Sequence, residues 1–146
     1  MYTYKFGKIL SIKEKEKEEK QSQYEQSVME FEKCAEKLYE LLKQKEDLEA
    51  MRQAKLERGL PVGDMLAQQY FIDNLEKVIM NHQVLVIEAR QMMHQMQEGL
   101  IHSNIEVKKY EQIKKNDYEN YLFEQKNMES MLMNEISIQQ FMNRGI

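Results

Sequence analysis

The chain has 146 residues, of which 32% are charged and 42% hydrophobic, with one Pro, five Gly, no Trp and twelve Met. So few turn-forming residues exclude sandwiches, barrels and alternating strand–helix folds, which need a break every ten or so positions. A formal charge of -4 removes counterion release as a driving force, so no nucleic-acid partner is expected.

An all-α chain is therefore predicted, and a mean hydropathy of -0.75 assigns its apolar residues to stripes on long amphipathic helices, with an elongated single domain over residues 1–146. The first ten residues carry Lys5 and Lys8 without the apolar run of a signal peptide. No stretch approaches the roughly 18 apolar residues of a membrane span, so a cytoplasmic protein is expected.

Helix 1 is predicted over about residues 4–57, starting near Thr3 or at Ser11, where Glu14 completes a possible capping box. Tyr24, Val28, Phe31, Ala35, Leu38 and Leu42 step by four and three, and Leu41, Leu48 and Met51 carry the stripe onward. Cys34, the lone cysteine, falls on the apolar side as a small filler.

The turn is expected at residues 58–63. Gly59 can take the left-handed conformation that ends a helix, Pro61 cannot continue one, and Asp64 is a suitable N-cap for the next. Helix 2 then spans about residues 64–134, making it the longer arm of an antiparallel two-helix coiled coil, a long helical hairpin. A short C-terminal helix or tail is expected over 135–146, with Ser137 opening a capping box and Ile136, Ile138, Phe141 and Met142 unpartnered.

Helix 2 carries three apolar columns at intervals of seven. One holds Ile72, Ile79, Val86, Met93, Leu100 and Val107; a second Leu75, His82, Ala89, Met96, Ser103 and Tyr110; a third Phe71, Val78, Leu85 and Met92. At about 100° per residue they lie near 100°, 40° and 0°, an arc wider than the seam one partner helix requires. Folding at residue 60 pairs residues whose numbers add to about 120, setting Phe31 near Ala89, Leu38 near His82 and Leu10 near Tyr110. The same register sets the apolar-free stretch Lys13 to Gln23 against Gln97 to Asn104, a region expected to pack loosely.

His82, His94 and His102 are about 120° and 80° apart around a helix, which is no metal-ligand pattern. Nucleophile elbows, phosphate loops and Cys-x-x-Cys pairs are absent from the sequence, so neither an enzyme nor a cofactor is expected. Met80, Met92, Met93 and Met96 suit seam positions. Met128, Met131, Met133 and Met142 lie where helix 1 supplies no partner, and flexible thioethers there suit binding.

The opening Tyr4-Lys5-Phe6-x-x-Ile9-Leu10-x-x-Lys13, the hairpin near residue 60, and above all Phe71-Ile72-x-x-Leu75-Glu76-Lys77-x-Ile79-x-x-His82 resemble the flagellar export protein FliJ family. The closing Ile136-Ser137-Ile138-x-Gln140-Phe141-Met142 resembles the ending of its Gram-positive members, so the likeness covers nearly the whole chain. It implies a non-enzymatic component of the flagellar type III export apparatus, built like the central stalk of rotary ATP synthases. Such a protein binds the hexameric export ATPase and the cytoplasmic domain of the export gate protein, at the cytoplasmic face of the cell membrane and only through protein partners. Carried over by position, the gate-binding residues are Phe71, Leu75, Val78 and His82. On helix 1 the corresponding patch reads Leu41, Gln44 and Leu48, and Leu41, Leu85, Met92, Met128 and Met131 are taken as further partner surface. A second reading, from the methionine-rich end, is a holdase for export substrates or an escort of flagellar export chaperones.

Overall fold

The structure is a computed structural model and describes residues 2–145. Two helices account for nearly all of it: α1, Gly7–Arg58, of 52 residues, and α2, Val62–Arg144, of 83 residues. Among the described residues there is no strand. The expected hairpin with a longer second arm is present.

The turn is Gly59-Leu60-Pro61. Gly59 has φ 87° and its amide donates to the Leu56 carbonyl at 3.2 Å, closing α1 as a left-handed C-terminal residue does. The Met65 amide donates to the Pro61 carbonyl at 3.1 Å, so α2 starts at Val62 and Pro61 stands in the flanking position where a missing N–H costs nothing. Asp64 is therefore not the N-cap. It lies in the first turn, where its carboxylate favours the positive end of the helix.

Two other boundaries differ from expectation. Ser11 lies inside α1, which starts at Gly7, because Tyr2 to Tyr4 are held away from helical geometry by contacts with α2. Similarly, α2 does not stop near Asn134. It runs without a break through Ser137 to Arg144, and Gly145 donates to the Phe141 carbonyl at 2.9 Å. No Gly or Pro falls between Gly99 and Gly145, and extending a formed helix is far cheaper than starting a new one. Met1 and Ile146, the ends of the expected span, lie outside the described residues.

The chain divides into two compact units: Glu19–Ile101, and Met1–Glu18 with His102–Ile146. In the first, Leu41, Ile72, Leu75 and Ile79 are buried, and Leu38 and Leu48 pack against the cluster of Leu41, Leu75 and Ile79. The Ile72 column is thus core, as its seven-residue spacing predicts, with Val86, Met93 and Leu100 half-buried along it. Lys45 bridges to Glu76 at 3.2 Å, Arg52 donates to Gln69, and the Arg90 guanidinium lies 5.6 Å from the Phe31 ring. Residue numbers in each of these pairs add to 121, one from the expected register.

The helix 1 stripe is corrected at two positions. Leu42 and Met51 are exposed, and the covered line passes instead through buried Leu41 and half-buried Lys45, Leu48 and Arg52. Cys34 is half-buried, and the Ser27 hydroxyl donates to the Tyr24 carbonyl at 2.6 Å. Further along, the Lys20 stem passes over Gly99, closing part of the region expected to be loose.

In the second unit Leu10, Ser103 and Val107 are buried. The N-terminal segment is fastened by its aromatics. The Tyr2 hydroxyl donates to Asp117 Oδ2 at 2.9 Å while its ring stands edge-on to Tyr118 at 5.0 Å, and the Tyr4 hydroxyl donates to the Tyr110 carbonyl at 2.9 Å. Lost solvation foremost, then the Asp117 hydrogen bond, push the Tyr2 phenol up to about 12. The Tyr4 phenol is raised too, by lost solvation and then by the charge on Asp117. Beyond Tyr121 every described side chain of α2 is exposed.

Candidate partner-docking surface

Phe71, Val78, Leu85 and Met92 recur every seventh residue of α2, and all four are exposed, Phe71 at 51% and Val78 at 41%. Seven residues fall about 20° short of two full turns, so side chains at this interval keep to one side of a helix. Their neighbours Ile72 and Ile79 are buried against α1. The stripe is what remains of a three-column arc after a single partner helix has covered the rest.

The other expected site residues are divided. Leu75, placed in the gate-binding set, is 8% exposed and packs with Leu41 and Ile79. Leu41, placed on partner surface, is 7% exposed in the same cluster. Both are corrected to core. They occupy the middle column and the α1 line that faces it, where any apolar side chain is enclosed by the hairpin itself. His82 is half-buried at the edge of the seam, so its ring is shared between the hairpin and its surface.

A second apolar surface occupies the end of α2. Leu122, Phe123, Met128, Met131, Leu132, Met133, Ile136, Ile138, Phe141 and Met142 are all exposed, and the carboxylates of Glu129 and Glu135 flank a shallow depression between Met128, Met131 and Leu132. At about 100° per residue, the run from Ile138 through Met131, Met142, Met128, Leu132 and Ile136 to Met133 covers roughly 220° of the helix circumference. An arc that wide is characteristic of a helix meant to be enclosed rather than laid on one surface.

These surfaces offer apolar contact and little chemistry. Among the described residues no three His, Cys, Asp or Glu side chains gather as a metal ion would require. No described helix is long and apolar enough to cross a membrane.

What sequence reasoning missed is the aromatic fastening of residues 2–6. Its signal was present: Tyr2 and Tyr118 have numbers adding to 120, the hairpin register itself.

The fold and its two uncovered stripes define a class: an α-helical hairpin whose longer helix leaves apolar surface exposed. The family model for the flagellar FliJ protein matches residues 2–145. A flagellar FliJ protein from Bacillus subtilis (strain 168) is 44% identical over 144 residues, covering 99% of this chain and 98% of its own. No solved structure matches. The chain belongs to the flagellar FliJ family, and membership makes it a flagellar export component.

Proposed function

We propose that this chain is a non-catalytic coupling element of flagellar protein export, docking the cytoplasmic domain of the export gate on its Phe71–Met92 stripe and the hexameric export ATPase with the end of α2. Met128 and Met131 belong to the ATPase-facing surface, and Phe71, Val78, Leu85, Met92 and the edge of His82 to the gate-facing one. The observation that carries the reading is apolar surface left bare in both units, along the Phe71–Met92 stripe beside a column that α1 covers and on the end of α2 beyond Tyr121, where every described side chain is exposed. Burying such a stripe supplies the affinity, at about 25 cal/mol for each Å² removed from water. In this role the chemistry belongs to the ATPase, and the hairpin responds to it. The chain sits at the cytoplasmic face of the cell membrane through its protein partners.

Truncation after Glu124 tests the reading. It removes the wide apolar arc and leaves the Tyr2, Tyr118 and Tyr121 contacts in place. Binding to the export ATPase, and any stimulation of its ATP hydrolysis, should fall by at least about tenfold, a modest loss for deleting several anchors, while the hairpin melts as before. Undiminished stimulation would sink the ATPase half of the proposal.

The exposed methionines of that segment favour a second reading, a holdase for export substrates or an escort for their chaperones. Aggregation assays with unfolded export substrate separate the two. Protection by the full chain that disappears on truncation, with ATPase binding intact, selects the holdase.

A further inference from the structure

Met128, Met131, Met133 and Met142 stand close together at the end of α2, each 64 or 65% exposed. By contrast Met65, Met93 and Met96, earlier on the same helix, are half-buried. At about 100° per residue Met128, Met131 and Met142 fall within about 60° of one another, so three thioethers share one face. The Phe71–Met92 stripe has a different chemistry. Phe71, Val78 and Leu85 are hydrocarbon, and Met92 is its single thioether.

A thioether is an apolar group that a mild oxidant turns polar. Hydrogen peroxide transfers one oxygen atom to the methionine Sδ: the O–O bond breaks, a sulfur–oxygen bond forms, the sulfur gives up two electrons, and the peroxide leaves as water. Exposure governs which methionines react first. The sulfoxide oxygen that results is a hydrogen-bond acceptor. In the shallow depression between Met128, Met131 and Leu132 the flanking polar groups are Glu129 and Glu135, whose carboxylates accept hydrogen bonds and donate none. Pressed against an apolar partner, the oxygen loses its water and gains no donor from this surface.

We propose that the end of α2 is a methionine oxidation site: peroxide converts Met128, Met131 and Met142 to sulfoxides, the oxidised chain docks the export ATPase weakly, and reduction of the sulfoxides restores docking. This rests on the reading that places the ATPase on this surface and adds its regulation. Docking on the Phe71–Met92 stripe, where one side chain in four carries sulfur, continues through the same treatment. Oxidation thereby uncouples the two docking surfaces.

The test treats the full chain with hydrogen peroxide in the Cys34→Ser background, so that the one thiol takes no oxidant, and removes the peroxide before any partner is added. Peptide mapping by mass spectrometry should find Met128, Met131 and Met142 oxidised at least about threefold faster than Met65, Met93 and Met96. Calorimetric titration of the treated chain should show binding to the purified export ATPase weakened at least about tenfold, and binding to the cytoplasmic domain of the gate protein changed by less than about threefold. Methionine sulfoxide reductases for both sulfoxide epimers should return the ATPase affinity to its starting value. A variant with Leu at positions 128, 131, 133 and 142 should keep, after peroxide, whatever ATPase affinity it has before it. Circular dichroism follows helicity throughout. Treated chain that binds the ATPase as untreated chain does overturns the oxidation site and leaves the docking surface standing. A loss that the reductases do not reverse, that the leucine variant shares, or that is equal for both partners also overturns it. Untreated chain that does not bind the ATPase overturns the docking reading and this inference together.

Discussion

Phe71 and Ile72 are adjacent in the chain and opposite in environment, the first 51% exposed and the second 4%. One step of about 100° around a helix is enough to move a side chain from the seam to the surface. The two should therefore respond differently to truncation. Ile72→Ala removes packing from the line that holds α1 to α2 and should cost about 2 to 4 kcal/mol, read as a lower melting temperature. Phe71→Ala combined with Val78→Ala should cost less than about 1 kcal/mol and leave helicity intact, because neither ring nor isopropyl group is enclosed. A large drop in melting temperature for the double variant shows that the stripe is core. At this scale the sequence was informative where columns were well separated and misleading where they met. Leu75 stands between the core column and the outer one, and the difference between a shared and an enclosed position depends on where α1 lies.

Helix boundaries were legible wherever the backbone itself was constrained. Gly59 and Pro61 mark the turn because their φ preferences hold in any context, and the structure has Gly59 at φ 87°. Gly59→Ala should lower stability by about 1 to 2 kcal/mol, since no atom lies within 4 Å of an added Cβ and the whole effect is backbone strain. Equilibrium denaturation measures it, and an unchanged midpoint would mean the turn has another conformation available. Capping signatures were less reliable. Ser11 with Glu14 and Ser137 with Gln140 both read as helix starts and both lie inside helices, because a side chain that can cap a helix does not stop one already propagating. At the other end of the hairpin, contacts remote in sequence decided the boundary: Tyr2 and Tyr4 hydrogen-bond to residues 115 and 106 positions away.

At the scale of the whole molecule, the division into two units falls at Glu18 and Glu19 on α1, inside the stretch Lys13 to Gln23 that lacks any apolar residue. Within 11–23 only Lys13 and Lys17 are half-buried, and the Lys13–Glu16 pair at 3.5 Å is a surface interaction of small weight. Backbone amides there should exchange with solvent at least about tenfold faster than those of Leu38 to Leu48 in the same helix, since few buried contacts oppose local opening. Hydrogen exchange followed by mass spectrometry checks this, and equal protection along α1 would remove the idea of a softer stretch. The opposite helix is firmer than its composition implied, with Ser103 and Val107 buried and Gly99 covered by a lysine stem.

The sequence by itself determined that the protein is a helical hairpin turning at residue 60, which columns repeat at seven, and that α2 carries more apolar surface than α1 can cover. Those properties follow from periodicity and from two residues with restricted backbones, and both are local. Tertiary structure alone decided that Leu41 and Leu75 are enclosed while Phe71 and Val78 stay open. It also decided that α2 continues to Arg144. Burial belongs to pairs of helices and not to either one, so which column is covered depends on where the second helix lies.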